Sequence, residues 1–160
     1  MAYFNCFYGV KKSEIDVSIP IMTSDNTPSG ECVGDSFQNN RPFYHAFDGD
    51  DSTRWISQTP RGNACWIGYE FPYPVKITRA EWEHLGDSYI TSNTYKYQAY
   101  DGNDWVDISE LKTSTALKNT DVISNNESYT KYRLYINTQL GSAGNAGQII
   151  SLQFYGRAYV

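Results

Sequence analysis

The stretch HAFDGDDSTRW, residues 45–55, concentrates acidic side chains in a short turn between apolar residues. Asp48, Asp50 and Asp51 fall within four positions, and two hydroxyl residues, an arginine and a tryptophan follow them. Like charges this close repel one another unless hydrogen bonds, water or a cation compensate them. Three interpretations are open: a solvated turn, an EF-hand calcium loop, or a calcium site of another kind.

Two positions of the turn exclude an EF-hand loop. With Asp48 at loop position 1, position 6 requires glycine and position 12 requires a bidentate glutamate, but Thr53 and Thr59 stand there. A calcium site of another kind needs only about 6–8 oxygen ligands in loose geometry. Composition alone favours the solvated turn. The flanking sequence is needed to choose between the solvated turn and a calcium site of another kind.

Length and composition indicate one acidic, β-rich domain. The chain has 160 residues, a net charge of -5 and 14 tyrosines, a residue type that favours strands. The longest basic run is Lys11–Lys12, and no apolar run approaches the roughly 20 residues of a membrane span. We therefore expect neither a nucleic-acid partner nor membrane insertion. The three cysteines have no zinc-ligand spacing, and the sequence leaves open whether any two of them pair.

Short apolar-polar patterns separated by turn residues predict an all-β sandwich or barrel. The turn PYPV separates two of these predicted strands, and Asp101-Gly102-Asn103 is a hairpin signal that separates another two. No segment has a sustained helical period. The predicted strands are residues 66–71, 76–85, 94–100, 105–111, 131–137 and 148–156.

The blocks AFDGDDSTRWIS, WIGYEFPYPVKIT, YKYQAYDGNDW and ISLQFYGR follow one another in this order and spacing. Their arrangement over residues 20–157 resembles the discoidin family: the coagulation-factor C-terminal-type domains and the related family 32 carbohydrate-binding modules. The resemblance implies a galactose-binding-like jelly roll of two packed antiparallel sheets. We therefore expect residues 1–160 to form a single domain, with 1–19 as an N-terminal extension.

The same resemblance implies a structural calcium at the acidic turn. Asp48 resembles the family's side-chain ligand, and Asp50 resembles a ligand that acts mostly through its backbone. Thr53 would contribute a hydroxyl and a carbonyl oxygen. Gln153 stands where the family often has a carboxylate, so the expected affinity for calcium is weaker. Trp55 and Trp66 occupy positions that face the core in the family, and Trp105 is expected to pack as well.

The family binds its ligands in loops at one end of the sandwich, where aromatic, amide, imidazole and charged groups hold sugar hydroxyls. Three segments are expected to form that end, namely residues 38–45, 83–89 and 137–145. Residues 83–89 lack the arginine and asparagine of the sugar-binding members. The predicted ligand-binding residues are Asn40, Arg41, Tyr44, His45, Glu83, His84, Asp87 and Tyr89.

These features predict a non-catalytic module that attaches to cell-surface or polysaccharide glycans. The opening block IPIMTSDNTPSGE, residues 19–31, resembles modules of bacterial surface proteins and phage tail proteins, which implies an extracellular, cell-surface or virion-surface location. The alternative is a protein-interaction module that contacts other subunits of a larger assembly. Glu81 and Glu83 share one side of a predicted strand, as catalytic carboxylates could, but surface ion pairs are the favoured interpretation.

Overall fold

A computed structural model describes residues 12–60, 63–84, 94–114, 116–138 and 147–159. These ranges form ten strands and one 3₁₀ turn, Phe43–Ala46, and no helix in them is long and apolar enough to cross a membrane. The strands are β1 (Glu14–Ser18), β2 (Glu31–Gly34), β3 (Trp55–Ile56), β4 (Cys65–His84), β5 (Thr94–Tyr100), β6 (Trp105–Asp107), β7 (Lys112–Thr113), β8 (Lys118–Val122), β9 (Tyr129–Thr138) and β10 (Gln148–Tyr159).

The strands form two antiparallel layers that share β4. In the first sheet β10 lies between β1 and β4, β8 pairs with the other edge of β4, and β3 pairs with β10. In the second sheet the order is β2-β4-β9-β5-β6, and β7 also pairs with β5. The expected all-β sandwich of two antiparallel sheets is confirmed.

One continuous strand, β4, replaces the two strands predicted at 66–71 and 76–85. Cys65–Glu70 pairs with β9 in the second sheet, and the residues from Lys76 onward pair with β10 in the first sheet. The ladder with β9 is interrupted between Glu70 and Val75, where Pro72 and Pro74 lack the N–H that a ladder requires. The predicted turn is therefore the corner at which the strand changes sheets.

The Asp101 hairpin turn has the geometry that its sequence predicts. Asp101 Oδ1 accepts the backbone N–H groups of Asn103 and Asp104 at 2.8 and 2.9 Å. Gly102 has a φ of 107°, a region that glycine enters without a steric penalty. The turn joins β5, which has the bounds predicted for it, to β6, which ends at Asp107 instead of residue 111.

Five strands were not predicted, and all of them are short. β1 lies within the predicted N-terminal extension, yet it pairs with the end of β10 from Glu14↔Tyr159 to Ser18↔Tyr155. β8 has the sequence KNTDV, in which alternate residues are exposed. Such edge strands are held by backbone hydrogen bonds to a neighbour that is distant in sequence, so their own side chains carry little apolar pattern. The other three unpredicted strands are β2, β3 and β7.

The core lies between the two sheets and is strongly aromatic. Trp82, Tyr97, Tyr132 and Phe154 are 0% exposed. Phe154 meets Tyr97 edge to face and Tyr132 in a tilted pair, and Trp82 meets Tyr95 edge to face. Burying a large apolar side chain contributes about 1.5–3 kcal/mol, so this cluster is a main source of stability. Trp55 is also 0% exposed, as predicted for a core-facing position.

Candidate functional site

Several loops leave the sandwich at one end, which we call the loop end. Gly34 at the end of β2 pairs with Ile67, and Ser57 after β3 bonds through its N–H to the Gly147 carbonyl at 3.0 Å. His84, the last residue of β4, pairs with Ile149 at the same end. Residues 85–93 and 139–146 lie outside the described part of the chain. The predicted ligand residues Asp87 and Tyr89 therefore lie outside it too, as does most of the segment 137–145.

The loop after β2, residues 35–47, is anchored to the sandwich at three points. Gln38 donates its backbone N–H to the Ile56 carbonyl at 2.9 Å, and Tyr44 donates its N–H to Asp25 Oδ1 at 2.8 Å. The indole N–H of Trp55 donates to the Ser36 carbonyl at 2.9 Å. A loop held in this way presents its side chains in a defined arrangement, which lowers the ordering cost of binding.

A network of a carboxylate and three hydroxyls joins two of the loops at the loop end. Asp35 Oδ2 accepts the Thr59 hydroxyl at 2.6 Å and the Ser57 hydroxyl at 3.3 Å. The Ser36 hydroxyl lies 3.2 Å from that of Ser57 and accepts the Gln58 N–H at 3.1 Å. The sequence does not predict this cluster, because residues 57–63 carry only a general loop signal and Asp35 contacts Ser57 and Thr59 only in the folded chain.

Asn40 and Arg41, two of the predicted ligand residues, lie at the tip of this loop, and their ligand role stays a prediction. Asn40 is exposed and has a φ of 63°, a left-handed conformation that asparagine tolerates better than most residues. The Arg41 N–H bonds to the Gln38 carbonyl at 2.9 Å, which closes the turn. The turn carries an amide and a guanidinium at consecutive positions, and both groups suit hydroxyl recognition.

Tyr44 and His45 belong to a different part of the surface from the loop tip. Their rings form an edge-to-face pair with centroids 4.6 Å apart, and Tyr44 packs against the core. His45 lies close enough to Asp50 to influence its carboxyl electrostatically, so it faces the acidic turn. Its Nδ1 atom is buried and has no hydrogen-bond partner within the described ranges.

The two described residues from segment 83–89 have structural contacts. His84 is 3% exposed, its ring lies against Trp82, and its Nε2 atom is 3.0 Å from the Ala116 carbonyl. Contrary to the sequence-based prediction, His84 is a core residue, since burial leaves it no surface for a ligand. Glu83 is half-buried and pairs across the sheet with Lys118 at 3.8 Å.

The acidic turn is closed by hydrogen bonds within it. Asp48 accepts the Asp50 N–H at 3.0 Å and the Thr53 hydroxyl at 2.7 Å. Asp50 accepts both the hydroxyl and the N–H of Ser52, and these bonds hold the pKa of Asp50 below its ordinary value of 3.8. These hydrogen bonds compensate the repulsion between the acidic side chains, because Asp48 and Asp50 each accept bonds from their own donors.

Gln153, the fourth predicted calcium ligand, is engaged elsewhere in the structure. Its amide nitrogen donates to the Ile19 carbonyl at 2.8 Å, and its amide oxygen accepts the Ile19 N–H at 2.7 Å. Within the described ranges, no group of three or more His, Cys, Asp or Glu side chains could hold a metal ion. The oxygens of Asp48, Asp50 and Thr53 share one turn, so the donor set fits calcium only in part, and the calcium site stays a prediction.

The tryptophan predicted to face the core at position 66 lies on the outer face of the second sheet. The strand alternates at this point, so Ile67 and Tyr69 are 0% exposed while Trp66 is half-buried. Trp66 packs against Trp105 with ring centroids 5.4 Å apart, which confirms a packing contact for Trp105. Trp66 therefore packs on a surface instead of in the core.

The two glutamates considered as catalytic carboxylates are both engaged in ion pairs. Glu81 lies 2.6 Å from Arg79 and accepts the Tyr155 hydroxyl at 3.1 Å. Glu83 pairs with Lys118, as described above. These contacts agree with the favoured interpretation of surface ion pairs.

The cysteines within the described ranges are unpaired. Cys32 and Cys65 are both buried thiols, and burial is the main cause that raises the pKa of each. A raised pKa keeps the unreactive thiol form at neutral pH. Both therefore act as small core residues.

The fold is shared with solved carbohydrate-binding modules. A family 32 module of Clostridium perfringens NanJ, solved in complex with galactose, matches with a TM-score of 0.67 at 15% identity, over 88% of this chain and 99% of that one. The fold is that of the family 32 carbohydrate-binding modules. A second C. perfringens family 32 module, solved with GalNAc-β-1,3-galactose, has a TM-score of 0.64 at 18% identity, over 78% of this chain and 94% of its own.

A further match comes from a Paenibacillus chitosanase/glucanase. Its chitosan-binding module 2, solved with chitotriose, has a TM-score of 0.66 at 19% identity, over 79% of this chain and 96% of that one. No protein-family model and no curated protein matches the sequence. The comparisons therefore show the discoidin-like fold through structure, at identities where sequence alone carries little signal.

Proposed function

We propose that the protein is a non-catalytic glycan-binding module that uses its loop end. The observation that carries the proposal is the fold, shared over 78–88% of the chain with modules solved in complex with galactose, GalNAc-β-1,3-galactose and chitotriose. Such folds place function in loops on a rigid scaffold, and the loop after β2 is anchored in that way. The ligand is a glycan of a cell surface or a polysaccharide.

At the loop end, Asn40 and Arg41 supply hydrogen-bond donors and an amide acceptor. Gln58, which is exposed, and the Asp35–Thr59 pair lie on the adjoining loops. Sugar hydroxyls both donate and accept hydrogen bonds, so a mixed set of this kind suits them. Affinity for a single sugar is expected to be weak, with avidity arising from several modules together.

A glycan array followed by calorimetric titration tests the proposal. Arg41→Ala removes a charged donor at the loop end, and we expect it to weaken binding of the best array ligand about tenfold or more. Arg157→Ala is the matched control. Arg157 lies opposite Lys76 in the ladder between β10 and β4, at the other end of the sandwich from the loop end. The control should leave binding unchanged.

Failure of the folded wild-type protein to bind any glycan, with or without calcium, would count against the proposal. If the protein instead captured a neighbouring subunit of a larger assembly, and sugars did not compete, the protein-interaction alternative would replace it. If the protein hydrolysed chromogenic glycosides and Glu83→Gln abolished this hydrolysis, the non-catalytic assignment would be wrong. We also propose that the protein acts outside the cell, on a cell surface or on a virion, where glycans of this kind are found.

We also keep calcium binding by the acidic turn as a proposal, supported by the shared turn of Asp48, Asp50 and Thr53. A ligand that binds only the folded state raises the melting temperature as its concentration rises. Adding calcium to chelator-treated protein should therefore raise the melting temperature of wild type but not that of Asp48→Ala. An equal response of the two proteins, or none from either, would rule the site out.

A further inference from the structure

The outer face of the second sheet carries aromatic side chains where a solvent-facing surface ordinarily carries polar ones. Trp66 on β4, Tyr100 on β5 and Trp105 on β6 are each half-buried, whereas their strand neighbours Ile67 and Ala99 are 0% exposed. Scattered apolar residues on a surface are ordinary, but a contiguous and partly exposed aromatic patch is typical of a binding surface.

An arginine holds these rings in place. The ring centroid of Trp105 lies 5.4 Å from that of Trp66 and 5.4 Å from that of Tyr100. The guanidinium of Arg133 lies 4.0 Å from the Trp105 centroid and 5.0 Å from that of Trp66. Its Nε–H donates to Gln98 Oε1 at 2.8 Å. Burial lowers the pKa of Arg133 to about 10, so the group stays charged at neutral pH and supports a cation–π contact.

Two glycines let neighbouring groups pack closely beside the rings. A β-carbon at Gly34 would overlap the ring of Phe43, which reaches the face from the loop after β2. A β-carbon at Gly68 would overlap the Tyr132 carbonyl and crowd Arg133. A pocket beside these rings, which we call the sheet-face pocket, has a volume of about 360 Å³. It is lined by the aromatic side chains Phe43, Trp66, Tyr100 and Trp105 and by the charged side chains Glu31 and Lys131.

One carboxylate of the sheet-face pocket is available to a ligand. Glu31 and Glu70 lie directly opposite each other on β2 and β4, an arrangement of like charges that costs stability. Lys131 approaches Glu70 to 2.6 Å and neutralises it. Within the described ranges Glu31 has no ion-pair partner, so its oxygens are free to accept hydrogen bonds.

We infer that the sheet-face pocket is a second sugar-binding subsite, which takes a neutral pyranose with its apolar C–H face against Trp66 and Trp105. The Glu31 carboxylate would accept hydrogen bonds from ring hydroxyls, and the Lys131 ammonium would donate one. Aromatic walls with a few polar groups are usual for small-ligand sites, and about 360 Å³ lies within their size range. Charges of both signs favour a neutral ligand over an anionic one.

The class of ligand rests on the proposed glycan-binding function, but the position is independent of the loop tip. Phe43 connects the two regions, because it belongs to the loop after β2 and lines the sheet-face pocket. A proline-rich peptide is the competing occupant, since such peptides dock in aromatic grooves.

Tryptophan fluorescence reports on this subsite selectively. The chain has four tryptophans, and Trp55 and Trp82 are 0% exposed, so acrylamide quenches mainly Trp66 and Trp105. We would titrate galactose, GalNAc-β-1,3-galactose, chitotriose and the best array ligand, and measure both emission and acrylamide quenching. Occupation of the subsite should protect these two rings. A proline-rich peptide would be titrated in parallel.

Three variants separate the subsite from the loop end. Trp105→Ala should weaken sugar binding about tenfold, and Glu31→Gln, which removes a charge without removing an ion pair, about threefold. Arg41→Ala should leave the fluorescence response of the sheet-face pocket in place. Tyr159→Ala, a change at an exposed tyrosine on β10, is the control for loss of an aromatic surface residue. Circular dichroism would check that each variant folds.

If Arg41→Ala abolished binding and Trp105→Ala and Glu31→Gln left it unchanged, the subsite would be ruled out. The proposed function would still stand. Protection by the proline-rich peptide, and by none of the sugars, would overturn the subsite in favour of a peptide groove. If wild type bound no sugar on the array or in titration, the proposed function would fail and the subsite would fail with it.

Discussion

Asp48 is the residue on which the geometry of the acidic turn depends. Its two carboxylate oxygens accept one backbone and one hydroxyl hydrogen bond, whereas the neighbouring Asp51 is exposed. The sequence shows both as acids in the same turn. Only the structure distinguishes the carboxylate that closes the turn from the one that points to solvent.

We expect Asp48→Ala to lower the free energy of unfolding by about 1–2 kcal/mol, because two hydrogen bonds to a charged acceptor are lost. Asp51→Ala should change it by less than about 0.5 kcal/mol. Urea denaturation of both variants in the presence of a chelator measures the difference without any contribution from a metal. Equal losses would mean that the turn is stabilised in another way.

Asp107 makes stability depend on pH. Burial alone would raise the pKa of Asp107, but hydrogen bonds from Lys96 and Gln98 and the charges of Lys96 and Arg133 outweigh it, and the pKa falls below the ordinary value of 3.8. A carboxyl with a lowered pKa in the folded state stabilises the protein above its unfolded pKa, and this contribution disappears as the pH falls through the folded pKa.

We therefore expect the melting temperature of wild type to fall more steeply than that of Asp107→Asn as the pH drops from about 5 to about 2. Below the folded pKa the two curves should converge, since the carboxyl is then neutral in both states. Thermal melts across this range measure the effect. Parallel curves would show that the Asp107 network does not contribute.

At the scale of elements, one carboxylate ties β8 and β7 to β5. Asp121 on β8 accepts the hydroxyls of Tyr95 and Tyr97, each at 2.8 Å, and lies 3.0 Å from Lys112 on β7. Its side chain is only 11% exposed, so the charge is stabilised by these donors instead of by water. This connection explains how a polar edge strand without an apolar pattern is held in place.

We expect Asp121→Ala to cost about 3 kcal/mol, because two tyrosine hydroxyls and one lysine lose their acceptor. Asp121→Asn keeps an acceptor oxygen without the charge, so it should cost less. Guanidinium denaturation of the two variants gives the comparison. A loss of less than about 0.5 kcal/mol for Asp121→Ala would contradict the proposed role.

At the scale of the whole molecule, β4 joins the two sheets into one cooperative unit. Its first half pairs in the second sheet and its second half in the first, and buried residues of both sheets form one cluster. Neither sheet can lose β4 without exposing part of the core of the other. The corner at Pro72 and Pro74 is therefore a connection between layers and not a boundary between units.

We expect a single unfolding transition as a result. Tryptophan fluorescence, which includes the 0%-exposed Trp55 and Trp82 of the first sheet, and far-ultraviolet circular dichroism, which reports all strands, should give the same denaturation midpoint. Midpoints that differ between the two probes would show that the layers unfold separately.

The fold class, the strands with a strong apolar alternation and the hairpin turn at Asp101 could be predicted from the sequence. These features are local, because alternation and turn chemistry act over a few residues. Three features depend on the folded chain: two predicted strands are one, β1 and β8 are edge strands, and Gln153 bonds to Ile19. In the folded chain His84 is also buried, Trp66 faces outward, and Asp35 accepts a hydrogen bond from Thr59. Each of these depends on contacts between residues far apart in the chain, which no local pattern encodes.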